Sequence, residues 1–234
     1  MQRVANKSSD RAVILSSAAL LASASLTLGD IVPVSRLSNL SASSYQSVGA
    51  GGIPITTSQT DSNNTLDYYS NSIGSGGSAS QTSYLTSDGA YARVSAFGYQ
   101  SGSIQQPNHG EGTSSFVYTF NLTAPTTLNF TGTLFRGSPF IAYGSVLLWN
   151  TVTNTLVYHS VGNTSGFETV TSISDMYAAA PGTYRFEVSI TNYGGSAGGF
   201  PAGASGADIL MTPTPGAAAV LALGALGACR RRRP

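Results

Sequence analysis

Three stretches of this 234-residue chain alternate apolar and polar side chains with a period of two, and nothing else in the sequence narrows the fold as far. In Ser115 to Leu122, Phe116, Tyr118, Phe120 and Leu122 share one phase, against Val117, Thr119 and Asn121. In Thr127 to Leu134, Leu128, Phe130 and Leu134 oppose Thr127, Asn129, Thr131 and Thr133. In Thr183 to Thr191, Tyr184, Phe186, Val188 and Ile190 oppose Arg185, Glu187 and Ser189. Successive side chains of a strand point to opposite faces, so each stretch reads as a half-buried strand.

The punctuation agrees. Ala124-Pro125 separates the first two strands, as expected where proline cannot join a ladder. Gly144 to Trp149 is apolar on both phases and reads as a central strand. Asn150 to Asn154 then reads as a turn and Thr155 to Val161 as its antiparallel return. Ala180-Pro181-Gly182 turns the chain into the Thr183 strand, and Ala207 to Met211 is a short closing strand. Ile53 to Thr57, Gln81 to Thr86 and Ala90 to Phe97 add strand character to the front half. The expected fold is all-β, an antiparallel β-sandwich of jelly-roll type over residues 31–211. Within it the Ser/Gly/Asn-rich stretches near 41–52 and 70–80 read as loops. The alternative is a separate disordered segment ahead of a smaller sandwich.

Composition excludes several classes. Between Ser25 and Met211 there is no lysine, and four arginines stand against nine acids, a balance of −5. Such a body is unsuited to nucleic acid, whose phosphates demand clustered basic side chains. The one cysteine, Cys229, lies near the C-terminus, so the body has neither a disulfide nor a thiol nucleophile. Its stability must come from packing.

Both ends carry export-like signals. Arg3, Lys7 and Arg11 precede an apolar run from Ala12 to Leu21 and a small-x-small site at Ala22-Ser23-Ala24, the pattern of a signal peptide over residues 1–24. Thr27-Leu28-Gly29 offers a later cut. At the other end, Thr212-Pro213-Thr214-Pro215-Gly216 opens an apolar run to Cys229, closed by Arg230, Arg231, Arg232 and Arg233. Fourteen residues of helix at ~1.5 Å each reach roughly 21 Å, short of the ~30 Å hydrocarbon core. As a membrane helix this is a marginal anchor, with its arginines on the cytoplasmic side and the body outside.

The order of these tail elements in residues 212–234 resembles the PEP-CTERM sorting signal of Gram-negative bacteria, although Thr214 stands where that family has glutamate. The resemblance implies a transient inner-membrane anchor, processing by an exosortase-like transpeptidase, and a mature protein at the cell surface or in the extracellular matrix with exopolysaccharide as its partner. Phe116-Val-Tyr-Thr-Phe-Asn-Leu-Thr123 and Pro181-Gly-Thr-Tyr-Arg-Phe-Glu-Val188 in turn resemble the strands and turns of pre-peptidase C-terminal-like and galactose-binding-like jelly rolls.

Chemistry is sparse. His109, placed in a loop by Pro107 and Gly110, and His159, on a strand, match no metal spacing, and no Gly-x-Ser-x-Gly elbow is present. Glu111 and Glu168 could be imagined as a glycosidase pair, but any β-domain with this many acids offers such pairs. Asp61 to Asp67 reads as an Asx-rich turn; as a calcium loop it lacks the glycine turn and distal glutamate. No catalytic residue, metal ligand or cofactor is therefore expected. Tyr68, Tyr69, Tyr84, Tyr91, Tyr99 and Tyr143 remain as candidates for stacking on sugar rings. Two functional classes follow, a non-enzymatic surface or matrix protein and a carbohydrate-binding module that uses exposed tyrosines.

Overall fold

The computed structural model describes residues 31–46, 53, 55–86, 89–103, 106–136, 142–161, 169–193 and 203–214. They form twelve strands: β1 (Ile31–Gln46), β2 (Ile55–Asn63), β3 (Tyr69–Ser75), β4 (Gly77–Thr86), β5 (Gly89–Ser103), β6 (Gln106–Leu122), β7 (Thr126–Arg136), β8 (Ala142–Asn150), β9 (Thr155–Val161), β10 (Thr169–Ala179), β11 (Gly182–Tyr193) and β12 (Gly203–Thr214). All pairings are antiparallel. One sheet, A, runs β2-β1-β6-β11-β8-β9. The other, B, runs β3-β4-β5-β12-β7-β10, and the end of β5 passes over to pair with the start of β6, Tyr99 opposite Gly110 through Ser103 opposite Gln106, so that a backbone ladder joins the two.

The pairing of β5 to β12 has a simple logic. β5 pairs with β12, β6 with β11, β7 with β10 and β8 with β9, so the chain from Gly89 to Thr214 is one long hairpin rolled across two sheets. This is the jelly-roll order. The tip of the hairpin is the turn 151–154, where the Asn150 Oδ1 accepts the backbone N–H of Val152 and of Thr153 and Asn154 takes a positive φ of 52°. β1–β2 and β3–β4 extend the two sheets beyond β6 and β5.

Alternation determines what the sheets bury. Phe116, Tyr118, Phe120, Leu122, Leu128, Phe130, Leu134, Val146, Leu148, Tyr184, Phe186, Val188 and Ile190 all lie in the core, while Arg185 is exposed and Glu187 half-buried. Phe130 stacks on Tyr158 at 4.4 Å and lies 5.8 Å from Phe186, which meets Phe116 edge-on at 6.2 Å. On β7 the apolar phase skips position 132. There Gly132, at φ 151°, lets β12 approach so closely that a Cβ would sit 1.9 Å from the Asp208 carbonyl oxygen. Gly112 permits a second close approach, where β6 crosses β4 and β5: a Cβ would meet the Ser78 carbonyl oxygen at 2.0 Å.

Three expectations change. Residues 41–46 belong to β1 and 70–80 to the β3–β4 hairpin, so these Ser-rich residues are paired in strands rather than loops, while 47–52 lie outside the described residues. Their ladders satisfy the backbone without apolar side chains: Ser44 bonds Thr57 at 2.6 Å and Ser70 bonds Thr82 at 3.1 Å. Gly144 to Trp149 buries one phase, Val146 and Leu148, and leaves Leu147 and Trp149 half-buried on the outer face. The last strand does not stop at Met211. Thr212, Pro213 and Thr214 continue β12 against Asn129, Leu128 and Thr127, and the Thr214 hydroxyl donates to the Thr127 carbonyl at 3.2 Å. The expected signal peptide, Pro215, Gly216, the apolar run and Arg230 to Arg233 lie outside the described residues.

Phe186 is fully buried between both sheets. Phe186→Ala should lower unfolding stability by about 3–5 kcal/mol, read as a drop in the urea midpoint with an unchanged slope. A loss below about 1 kcal/mol would mean that this seam does not carry the fold.

Candidate functional site

The candidate tyrosines divide by face. Tyr84 on β4 pairs with Tyr91 on β5, and Tyr91 pairs with Leu210 on β12, so all three lie in one row on the outer face of sheet B. Tyr68, just ahead of β3, joins them. Tyr68 and Tyr84 are 6.4 Å apart with ring planes 24° from parallel, and Tyr84 and Tyr91 are 4.8 Å apart at 29°. Rings cannot lie side by side in one plane at 4.8 Å, so Tyr84 and Tyr91 stack face to face. The three form a column, and Tyr68, 65% exposed, is its open end.

Beside the column lies an ion pair. Arg93 and Asp208, across β5 and β12, pair through the Arg93 Nη2 and through its Nε at 2.9 Å. Burial, and then a hydrogen bond to Asp208, raise the Tyr91 hydroxyl above its ordinary pKa. The guanidinium of Arg93 is in turn raised by the same carboxylate. The face therefore offers one free ring surface, a row of hydroxyls, and a fixed donor and acceptor side by side. Such a group can stack on an apolar sugar face and hydrogen-bond its hydroxyls.

Tyr69 and Tyr143 do not join the column. Tyr69, one residue from Tyr68, points inward and is 8% exposed. Its hydroxyl donates to the Asp61 carboxylate, which also accepts from the Asn71 amide at 2.7 Å. This latch ties β2 to β3 across one open side of the sandwich. Tyr158 of β9 does the same on the other side, donating to Asp175 of β10 at 2.8 Å. Tyr143 is on sheet A, edge-on to Tyr193 at 6.4 Å. The side chain of Tyr99 is outside the described set.

Other candidates are brought together only locally. His109 lies on β6 rather than in a loop, stacked on Tyr45 at 4.9 Å with its Nε2 4.0 Å from Glu111. His159 is exposed on β9, and Glu168 lies outside the described residues. Asp61 to Asn63 end β2, and the Asn63 side chain caps the following turn by accepting from Thr65. Among the described residues no three metal-binding side chains converge.

Sequence reasoning missed Arg36. It is 1% exposed, with its Nη2 donating to Ser38 Oγ, Ser83 O and Ser83 Oγ, while Gln81 bridges Ser38 and Ser83. Its guanidinium lies 5.8 Å from the ring centres of both Tyr69 and Phe116. Burial lowers its pKa, with Asp67 acting against the shift. The signal available was phase: Arg36, Ser38, Leu40 and Ala42 share the inward side of β1. Arg93 and Asp208, 115 positions apart, had no local signal.

No protein-family model matches the chain, and no curated protein sequence does. Among solved structures, infectious bursal disease virus of the Gx strain is similar at 15% identity and a TM-score of 0.29, over 81% of this chain and 59% of that one. The present chain thus spans about three-fifths of that viral chain. The insecticidal delta-endotoxin Cry8Ea1 of Bacillus thuringiensis is similar at 10% identity over 79% of this chain and 54% of that one, TM-score 0.26. The family 11 carbohydrate-binding module of the cellulosomal cellulase Lic26A-Cel5E of Clostridium thermocellum is similar at 12% over 64% of this chain and 89% of that one, TM-score 0.22. These are weak, distant likenesses.

The Asp61–Tyr69 latch should make stability depend on pH at both extremes. The hydroxyl of Tyr69, and then the amide of Asn71, hold the Asp61 carboxyl below its ordinary range. Its contribution is therefore present above the unfolded pKa and lost as pH falls through the lower folded one. Burial, and then Asp61, push Tyr69 up to about 12. That contribution is full below the ordinary value of 10.0 and lost as pH rises through about 12. Asp61→Asn should flatten the acid limb of urea midpoint against pH and leave part of the alkaline limb. An unchanged acid limb would assign it to other carboxylates.

Proposed function

We propose that this chain is a non-enzymatic exported protein of the cell surface or extracellular matrix that contacts polysaccharide through the tyrosine column of sheet B. The observation that carries the binding reading is the gathering of Tyr68, Tyr84 and Tyr91 beside the Arg93–Asp208 pair on one open sheet face. The polysaccharide is captured end-on, with a sugar ring on the free face of Tyr68 and its hydroxyls near the neighbouring tyrosine hydroxyls. The export reading rests on sequence: the basic-apolar-small pattern of residues 1–24, and a tail resembling PEP-CTERM signals from Thr212 to Arg233. An exosortase-like transpeptidase is the sorting partner, acting while the chain is held in the inner membrane.

Affinity electrophoresis through gels containing neutral or acidic polysaccharides tests the binding. The wild type should be retarded, and Tyr68→Ala should bind about two- to tenfold more weakly, the equivalent of about 0.5–1.5 kcal/mol for one ring stack. Tyr143→Ala, on the other sheet, should migrate like the wild type. Equal loss in both variants, or no retardation with any polysaccharide, would defeat the column as a site. Sorting is tested by mass spectrometry of the mature C-terminus, which should lack Arg230 to Arg233. Surface protein still ending at Pro234 would leave a plain anchor in place of a processed tail.

A further inference from the structure

The two ends of the sandwich strands bring the start of β1 and the end of β12 to the same place. Ile31 pairs with Leu122 on β6, and Thr214 with Thr127 on β7, and only residues 123–125 separate Leu122 from β7. The register puts the tip of the long hairpin there too, since Asn150 pairs with Tyr184 and Thr155, close to Gly182 opposite Leu122. This end is poor in charge: segments 31–35, 122–128, 150–156, 178–183 and 212–214 contain no acidic or basic residue. Asp30 and Asp88, which border it in sequence, lie outside the described residues.

It is also apolar where it meets solvent. Val152 at the hairpin tip is 76% exposed and Met176, on the outer face of sheet B, is 74% exposed; Val32, Val34 and Leu156 are exposed on strands of sheet A near the same end. Asp175, next to Met176, is occupied by the Tyr158 hydroxyl. Single exposed apolar residues need no explanation, but several round one end whose terminal segments carry few charges mark an interaction surface; the other exposed charge described there is Arg185, which lies over the Trp149 ring.

We infer that this end of the sandwich rests on a lipid bilayer surface while the tail is still attached. The inference builds on the membrane reading of the tail given above. The occupant is set by where the chain leaves the body. Thr214 is the last paired residue, and only Pro215 separates it from the apolar run that begins at Gly216. A chain leaving there with no spacer holds this rim at the bilayer. The arrangement also answers a deficit, because an apolar run of roughly 21 Å is a weak anchor for a core of ~30 Å. Interfacial insertion of valine, leucine and methionine side chains adds binding in proportion to the apolar area they bury.

Trp149, the single tryptophan of the chain, precedes the hairpin tip by two residues and reports on this end. The full chain would be reconstituted into phosphatidylcholine–phosphatidylglycerol vesicles with and without a nitroxide on the lipid headgroup, and flotation checked first. The floating wild type should lose Trp149 emission on the labelled vesicles. Val152→Asp combined with Met176→Asp should restore it while still floating, and Tyr143→Asp, near the other end of β8, should not. Circular dichroism would confirm that the variants keep the sheet signal. A floating chain with no quenching, or with quenching unchanged in the double variant, overturns the docking and leaves the anchor standing. A chain that does not float overturns the membrane reading and the docking together. Dimerisation in detergent that the double variant abolishes, without quenching in vesicles, assigns the rim to a second copy and overturns the lipid contact.

Discussion

The contact between the inner faces of the two sheets is the constraint on which everything else depends. With no cysteine in the body and few charges, apolar packing is the main force that holds the two layers together, helped by the β5–β6 ladder and a few side-chain hydrogen bonds between them. The heaviest part of that packing is aromatic. Phe116, Phe186, Phe130 and Tyr158 form a continuous path from β6 through β11 and β7 to β9, and Tyr118, Phe120 and Tyr184 form a second. Tyr158 shows how the seam is finished: its ring packs on Phe130 and its hydroxyl reaches Asp175 at the rim. One residue thus closes the core and latches the edge. The Asp61–Tyr69 pair does the same on the opposite side, so neither open side of the sandwich relies on backbone pairing.

Toward β1–β4 the seam thins and its chemistry changes. The apolar cluster there is Leu40, Tyr69 and Ala79, with Ile73 against it. The remaining space between β1 and β4 is filled by Arg36, Ser38, Gln81 and Ser83. A buried cation without a close carboxylate is expensive, and the Nε and Nη1 of Arg36 find no hydrogen-bond partner among the described residues. Two aromatic faces and three acceptors on Nη2 offset part of that cost. The network fixes which face of β1 meets which face of β4, because a one-residue slip would leave the guanidinium facing solvent and its acceptors unpaired.

The legibility of the fold in the sequence follows this gradient. Where inward positions are Phe, Tyr, Leu and Val, as in β6, β7 and β11, alternation identifies the strand and its buried face. Where they are Ser38, Ala42, Ala79, Gln81 and Ser83, the burial still alternates but hydropathy does not, and the stretch looks like linker. Composition sees serine; register sees a ladder. Pro213 misled in the opposite sense, since proline argues against a strand. It is tolerated because it lies past Met211, where the ladder between β12 and β5 ends, so no rung is lost on that side. The site shows the same limit. The tyrosines were visible as a composition, but which of them share a face depends on cross-strand register. Tyr84 and Tyr91 meet, while Tyr69 and Tyr68, adjacent in sequence, point to different places.

The column has a consequence for the binding that it can support. A platform of coplanar rings would hold several sugar units along a glycan, each ring adding its own contact. In this column the faces between Tyr84 and Tyr91 are spent on each other, and the most exposed ring is that of Tyr68 at its end. The rest of the site presents ring edges, hydroxyls and the Arg93–Asp208 pair, which already satisfy one another in part. On the proposed reading, one stack and a few exchangeable hydrogen bonds would make for weak capture of a single glycan end. If the chain contacts polysaccharide as proposed, many copies on one polymer would combine such weak contacts through effective concentration rather than through the strength of each. Rings already stacked in the free chain would lose little ordering entropy on such a contact, which suits the proposed regime.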